Sequence, residues 1–421
     1  MTVDARFVSL FSGPGGLDLG LEAAGWSALA QIEMHPDAAG TLELQAKAKA
    51  NSPVVLAKRI EEVSPRELRL DLGLAQGELA LLAGGPPCQP FTTSGRRRSI
   101  ADPRASSLFP TYLDFVREFR PQSLLIENVD GMLSAALRHR PLDQRGRGHP
   151  TLAPDEQKGS FLRWLLGELT ALGYAISWGV GEAADYGVPQ MRQRAILIGV
   201  LGTEPCYLPK PTFGRPGLPP YRTLRVALAG VMDLGPVQPL SQRKQEVYQH
   251  ILPGGNWRSL NEEMRRATMG AAYVAEGGKS GWWRRLSWDS PAPTILGMPD
   301  HSSTALIHPD ELRCLSVGEC AAIQTFPPTV RFAGSPRSQY QQIGNAVPPL
   351  VGKELGEHLL RFLAGHRTTA PPKPPWRKVS ANRRIGTHGW ALPLGNTVRF
   401  VFNVKVRPDH VWACLDGEHV A

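Results

Sequence analysis

Between Arg6 and Val200 the chain alternates short runs of β-branched and apolar residues with stretches of helical periodicity, and this alternation limits the folds open to it. The runs include RFVSLF, LALLAGG, SLLIENV, ISWGVGEA and RAILIGV, and GSFLRWLLGELTALG reads as an amphipathic helix between two of them. Strands separated by helices at this spacing predict βαβ units and an α/β fold built on a mostly parallel sheet. Such open sheets place ligands at the carboxyl ends of their strands. The residues that follow each run are therefore the candidates for function.

After the first run, FVSLFSGPGGLDLGLEAAGW places Gly13, Gly15 and Gly16 between a strand and a helix that runs to Gly25. Glycine lets backbone approach a ligand closely at such a turn, and the helix start supplies free N–H groups. Beyond the strand-like SALAQI stands Glu33, an acid at the end of the second strand, where a ribose hydroxyl pair is usually held. Turn and acid together point to a Rossmann-like sheet, with helices on both faces, and to an adenosine-containing cofactor.

After ELALLAGG comes PPCQPF, in which Pro86, Pro87 and Pro90 fix the backbone around Cys88. Rigid placement is what a nucleophile requires and what a packing cysteine does not. SLLIENVDG ends another run with Glu127 and Asn128, so a carboxylic acid stands at the same sheet edge. DYGVPQMRQRAILIG brings Gln190, Arg192 and Arg194 just ahead of a further strand, where guanidinium groups can clamp a phosphate or a carbonyl oxygen.

Past residue 201 the texture changes. Residues 202–310 are rich in Pro and Gly with clustered tryptophans, and read as a second domain of loops and short strands. Trp282, Trp283 and Trp288 are assigned to its framework. Helical patterning resumes in 311–364, where Ser316 and Glu319 have the spacing of a capping box and 345–364 reads as an amphipathic helix. Residues 365–421 combine a basic Pro-rich linker with a small β appendage.

Lys and Arg number 47 against 38 Asp and Glu, a formal net charge of +9 that suits a polyanionic partner. The five cysteines form no Cys-x-x-Cys pair, which disfavours a disulfide framework or a zinc site and fits a reducing cytoplasm. No basic leader precedes an apolar core at the N-terminus, and no apolar run approaches the roughly 18 residues that span a bilayer. The chain is expected to be neither exported nor membrane-embedded.

The blocks FSGPGGLDLGLEAAGW, GGPPCQPF, ENV, AADYGVPQMRQRAILIG, LSVGECAAIQTFP and QIGNAVPP, in this order over residues 7 to about 362, resemble the cytosine-5 DNA methyltransferases of bacterial type. The resemblance implies S-adenosylmethionine as methyl donor and no metal. Phe11, Ser12, Gly13, Gly15, Gly16 and Leu17 would contact it, with Glu33 on the ribose and Met34 beside the adenine. Ile60, Pro86 and Leu108 would line the pocket. Asn345, Ala346 and Val347 would return to complete it, so the helix after Val347 is expected against the N-terminal domain.

In that family the cysteine of Pro-Cys-Gln, here Cys88, is the nucleophile that adds to carbon 6 of a flipped-out cytosine. Glu127 would act at ring nitrogen 3 and Arg194 on the ring carbonyl, with Arg192 supporting the loop. TTSGRRRSIADPRASS resembles the mobile loop that closes over the base; Gln89, Ser94, Arg96, Arg97 and Arg98 are its candidate DNA contacts. The same resemblance makes 1–201 the catalytic domain, 202–310 the target-recognition domain and 311–364 a return segment completing the catalytic domain.

The sequence departs from the family at three points. Arg59 precedes Ile60 where an acid commonly contacts the adenine, leaving Glu61, Glu62 or a backbone carbonyl for that role; Thr92 replaces a frequent Ser, and Glu182 a frequent Asn. Double-stranded DNA is the expected partner, with a cognate restriction endonuclease beside a monomeric cytoplasmic enzyme bound to the nucleoid. Two alternatives are a tRNA methyltransferase, because PPCQPFT recurs in tRNA-modifying relatives, and a catalytically silent DNA-binding homologue. The length of the 202–310 region argues against the first, and the presence of Cys88, Glu127 and both arginines against the second.

Overall fold

The computed structural model describes residues 4–87, 108–274 and 281–369. Cys88, Gln89, Ser94, Arg96, Arg97 and Arg98 lie outside the described residues, as does nearly all of the linker and β appendage expected over 365–421.

The N-terminal half carries β1 (Arg6–Leu10), α1 (Gly16–Ala23), β2 (Ser27–Ile32), α2 (Pro36–Lys47), β3 (Val54–Leu56), α3 (Pro65–Asp71), β4 (Leu81–Gly84), α4 (Leu108–Phe119), β5 (Ser123–Asn128), α5 (Ser160–Ala171), β6 (Tyr174–Glu182), β7 (Gln190–Met191) and β8 (Gln193–Leu201). Seven of these strands form one sheet in the order β3-β2-β1-β4-β5-β8-β6. Strands β3 to β5 pair in parallel, and β8 runs antiparallel to both its neighbours. The mostly parallel sheet expected from the alternating runs is thus present.

Alternate residues of each strand feed opposite faces, as the period of two requires. Val8, Leu10, Leu82, Leu124 and Ile126 pack with Tyr112, Phe115, Phe161 and Leu165 of α4 and α5. Phe7, Leu81, Ala83 and Leu125 pack on the other face with Leu17 and Leu21 of α1. That second face also receives Val351, Leu355 and Leu359 from the far end of the chain. By the same alternation Glu127 belongs to the face that Leu125 shares.

Beyond the sheet lie α6 (Leu224–Leu228), α7 (Gln242–Tyr248), α8 (Glu262–Met269), α9 (Ala271–Val274), β9 (Ala292–Pro293), α10 (Val317–Ile323), α11 (Pro336–Asn345) and α12 (Pro349–Leu363). The expectation of short strands across 202–310 is corrected: the described residues there form short helices and the two-residue β9. Helices of one or two turns are too short to print an apolar period. One cap is nevertheless legible, since the Asn261 side chain accepts from Met264 N at 2.8 Å at the start of α8.

This region holds a core of its own around Tyr248, Trp283, Ile307 and Cys314. A neighbouring core joins Leu224, Ile295 and Leu306 to Cys320, Ile323, Tyr340 and Ile343 of α10 and α11. The expected return segment is therefore divided: α10 and α11 share a core with residues from 224 to 306, and α12 packs on the main sheet. The capping box forms as spaced, with Ser316 N donating to Glu319 and Glu319 N to the Ser316 hydroxyl. The helix read over 345–364 begins at Pro349, because Asn345 closes α11 and the chain turns at 346–348.

Candidate active site

Strand β1 ends at Leu10, and the chain turns through Phe11 (φ 56°) and Gly13 (φ 56°) into Gly15 (φ 80°) at the start of α1. A left-handed Phe11 is strained, by roughly 1–3 kcal/mol for such outliers, and is held by its surroundings. Ser12 N donates to Ile32 O at 3.0 Å, which ties the turn to the end of β2. Gln45 of α2 donates to Pro14 O at 2.8 Å from below. Glu33, immediately past β2, accepts from Gly13 N at 2.8 Å with one carboxylate oxygen and from His35 N at 2.7 Å with the other.

Among the described residues no atom lies within 4 Å of the place where a side chain on Gly13 would stand, so they leave that side of the turn open. Gly16 differs: a Cβ there would meet Val347 O at 2.3 Å and Ala346 Cβ at 3.1 Å. The structure thereby brings the sequence-predicted 346–347 segment onto the glycine turn, with Asn345 exposed at its rim. Met34 is exposed. Ile60 is buried in the core under the sheet, and Leu108 begins α4 partly packed on that core. The Arg59 guanidinium pairs with Glu61 at 3.0 Å.

One strand further along, Glu127 is buried at the end of β5, and its carboxylate meets Arg194 Nε of β8 at 3.1 Å. Burial pushes the Glu127 pKa up, opposed by the charges of Arg194 and Arg192, and the carboxyl stays above its ordinary range. Gly85 lets the two strand ends approach closely: a Cβ on it would stand 3.2 Å from the Glu127 carbonyl oxygen. Asn128 reaches back across the strands and donates to Pro86 O at 2.7 Å. A small cleft is lined by Glu127, Arg194, Tyr186, Val347 and Pro348, among others.

Arg192 and Arg194, grouped in the sequence reading, part company. Arg194 faces Glu127. Arg192 is fully buried and its guanidinium donates to Ile295 O at 3.2 Å, Gly344 O at 3.0 Å and Ala346 O at 2.9 Å. Arg192 thereby holds the 344–346 segment that closes on the glycine turn. The cause is a change of sheet, since β7 leaves to pair with β9 and the break falls at Arg192. Gln190 and Gln324 extend this buried network, donating Gln190 Nε2 to Gln324 Oε1 at 2.8 Å and Gln324 Nε2 to Ile343 O at 2.6 Å.

Sequence reasoning missed Asp18. This acid sits in the first turn of α1 at 1% exposure, accepting from Ser9 Oγ at 2.7 Å and Gln31 Nε2 at 2.6 Å. It therefore joins β1, β2 and α1 beneath the glycine turn. The available signal was a lone acid within the apolar run LDLGL. Glu182, for which the sequence suggested no role, is buried and accepts from the backbone N–H of Arg192.

A mostly parallel sheet with one antiparallel strand, a glycine turn at β1, an acid after β2 and a carboxylate–guanidinium pair at β5 and β8 defines a Rossmann-like methyltransferase. Solved structures agree on the fold. A prophage-encoded Escherichia coli protein assigned as a DNA modification methyltransferase is 20% identical, covers 85% of this chain and 99% of its own, and superposes with a TM-score of 0.56. The Entamoeba histolytica methyltransferase EhMeth is 17% identical, with 85% and 98% covered and a TM-score of 0.51. Sequence relatives include the type II methyltransferase M.Sau96I of Staphylococcus aureus, 31% identical over 86% of this chain and 76% of its own. M.PspPI of a Psychrobacter species is 34% identical over 85% and 79%. The family model of the C-5 cytosine-specific DNA methylases matches residues 5–361, and the chain belongs to that family.

Proposed function

We propose that this enzyme methylates carbon 5 of a cytosine flipped out of a specific double-stranded DNA sequence through a transient bond between Cys88 and carbon 6, as part of a restriction-modification system. The observation that carries the reading is the buried Glu127–Arg194 pair beside Asn128, whose amide fixes Pro86, two positions ahead of Cys88. The type II names of the relatives support the setting. A monomer in the bacterial cytoplasm, working beside a cognate endonuclease, completes it. Among the described residues no helix is long and apolar enough to cross a membrane.

The glycine turn fits S-adenosylmethionine: Gly13 is open, the start of α1 has no side-chain cap and Glu33 stands against it. Phe11 to Leu17, Glu33, Met34 and the 345–347 segment would hold it, with Pro86, Leu108 and the backbone near Ile60 at the margin. When bound there it supplies an electrophilic methyl group. Cytosine carbon 5 is too weak a nucleophile to accept one unaided.

Attack of the Cys88 thiolate on carbon 6 forms a sulfur–carbon bond and displaces the ring's π electrons toward nitrogen 3 and the carbonyl oxygen. Glu127, whose burial favours its protonated form, donates at nitrogen 3. Arg194 donates to the carbonyl oxygen, where negative charge builds. Carbon 5 becomes enamine-like and takes the methyl group. Its proton then leaves to a base, the electron pair restores the ring double bond, the sulfur–carbon bond breaks to return the thiolate, and nitrogen 3 gives its proton back to Glu127.

The test offers tritiated S-adenosylmethionine to plasmid DNA and to tRNA, with wild type and Cys88→Ala in parallel. Label is expected in DNA with wild type alone. Label in tRNA only would overturn the substrate, and equal labelling by the alanine variant would overturn the covalent step.

A further inference from the structure

We propose that the excursion between β5 and α5, residues 138–158, is a second surface for the DNA backbone, with Arg147 and Lys158 each neutralising a phosphate beside the base site. The inference rests on the DNA reading above and adds an element that none of the family blocks contains.

Placement comes first. The chain leaves the sheet edge shortly after Glu127 and returns to it at α5, and the two ends are pinned together. Gly159 N and Phe161 N donate to Ala135 O at 3.0 and 3.3 Å, and Leu137 N donates to Ser160 Oγ at 2.8 Å. The excursion therefore rises from the edge that carries the Glu127–Arg194 pair. A duplex that surrenders a base to that edge must lie across it, with phosphates every ~3.4 Å along each strand.

The excursion is also built rather than slack. Glu156 is buried inside it, paired with Arg140 and accepting from Ala153 N at 2.9 Å. Arg138 pairs with Asp155 at 2.8 Å. A loop needed only for solubility has no use for a buried ion pair, whose desolvation is costly.

What the scaffold displays is positive. Between 138 and 158 five cations face three acids, and Asp155 and Glu156 are occupied by Arg138 and Arg140. Arg147 and Lys158 are exposed and have no carboxylate partner among the described residues. Arg147 stands between Gly146 (φ 96°) and Gly148 (φ 90°), and among the described residues nothing lies near the place of a side chain on either. Backbone conformation, not crowding, requires glycine at both, and the turn leaves Arg147 at its tip with bare backbone on each side.

The experiment measures Kd of the full chain for a random-sequence duplex while salt rises from about 50 to 200 mM. For Arg147→Ala/Lys158→Ala the slope of log K against log salt is expected to shrink by about 2, at ~0.9 per phosphate released. The loss should be equal for duplexes the enzyme methylates and duplexes it does not, with S-adenosylmethionine affinity and melting temperature unchanged. The swap Arg147→Lys/Lys158→Arg should restore the slope. A slope equal to wild type in the alanine pair would overturn the surface and leave the DNA reading standing. Wild type that binds tRNA but no duplex would overturn both.

Discussion

Asp18 places a carboxylate in the core, hydrogen-bonded by Ser9 and Gln31, and burial raises its pKa from 3.8 to about 6. A folded-state pKa above the unfolded value means that the native protein binds this proton more tightly. The stability it confers is full below pH 4 and is lost as pH climbs through 6, a cost of about 3 kcal/mol at 1.36 kcal/mol per unit. Asp18→Asn should therefore gain on wild type by up to that amount between pH 4 and pH 7, read from urea midpoints at each pH. Parallel curves would show that Asp18 does not titrate in this window. At the same scale, Glu33 and Glu127 were legible because each follows an apolar run and so falls at a strand end. Arg192 was not: its spacing from Arg194 implies a shared strand, and the sheet changes between them.

Helices α1 and α12 meet through small residues. A Cβ on Gly20 would stand 2.2 Å from Pro349 O and 2.7 Å from Gly352 Cα, and one on Gly356 would stand 2.9 Å from Ala24 Cβ. Trp26 Nε1 seals the crossing by donating to Gly356 O at 3.0 Å. Because backbone blocks the added atom, Gly20→Ala cannot be absorbed by a rotamer change, and it should cost at least about 1–3 kcal/mol. The check is the urea midpoint; an unchanged value would mean that the helices separate freely. The strands of the main sheet were legible from their apolar runs, and α5 from its period. Helices α7 to α9 were hidden by their brevity, and of the three α8 alone starts with a capping side-chain hydrogen bond, from Asn261.

At the scale of the molecule, one face of the main sheet is finished by residues from opposite ends of the chain. Leu17 and Leu21 share a core with Leu355, Leu359 and Phe362, and Arg192 pins the intervening 344–346 segment from the middle. A chain ending at Ala346 should bind no S-adenosylmethionine in equilibrium dialysis and should aggregate, since an apolar helix face is left uncovered. Retained binding would show that the turn closes without α12. The family blocks made this return legible. The division of cores between α11 and α12 was not: Pro348 and Pro349 mark the break between the helices, but nothing local says which core each of them faces.

The hydrogen bond from Trp26 to Gly356 spans 330 positions. At ~5–20 residues per second of synthesis, the ribosome needs roughly 15–65 s to deliver the acceptor after the donor has emerged. Throughout that interval the nascent chain carries a greasy helix with no mate, a natural client for a chaperone.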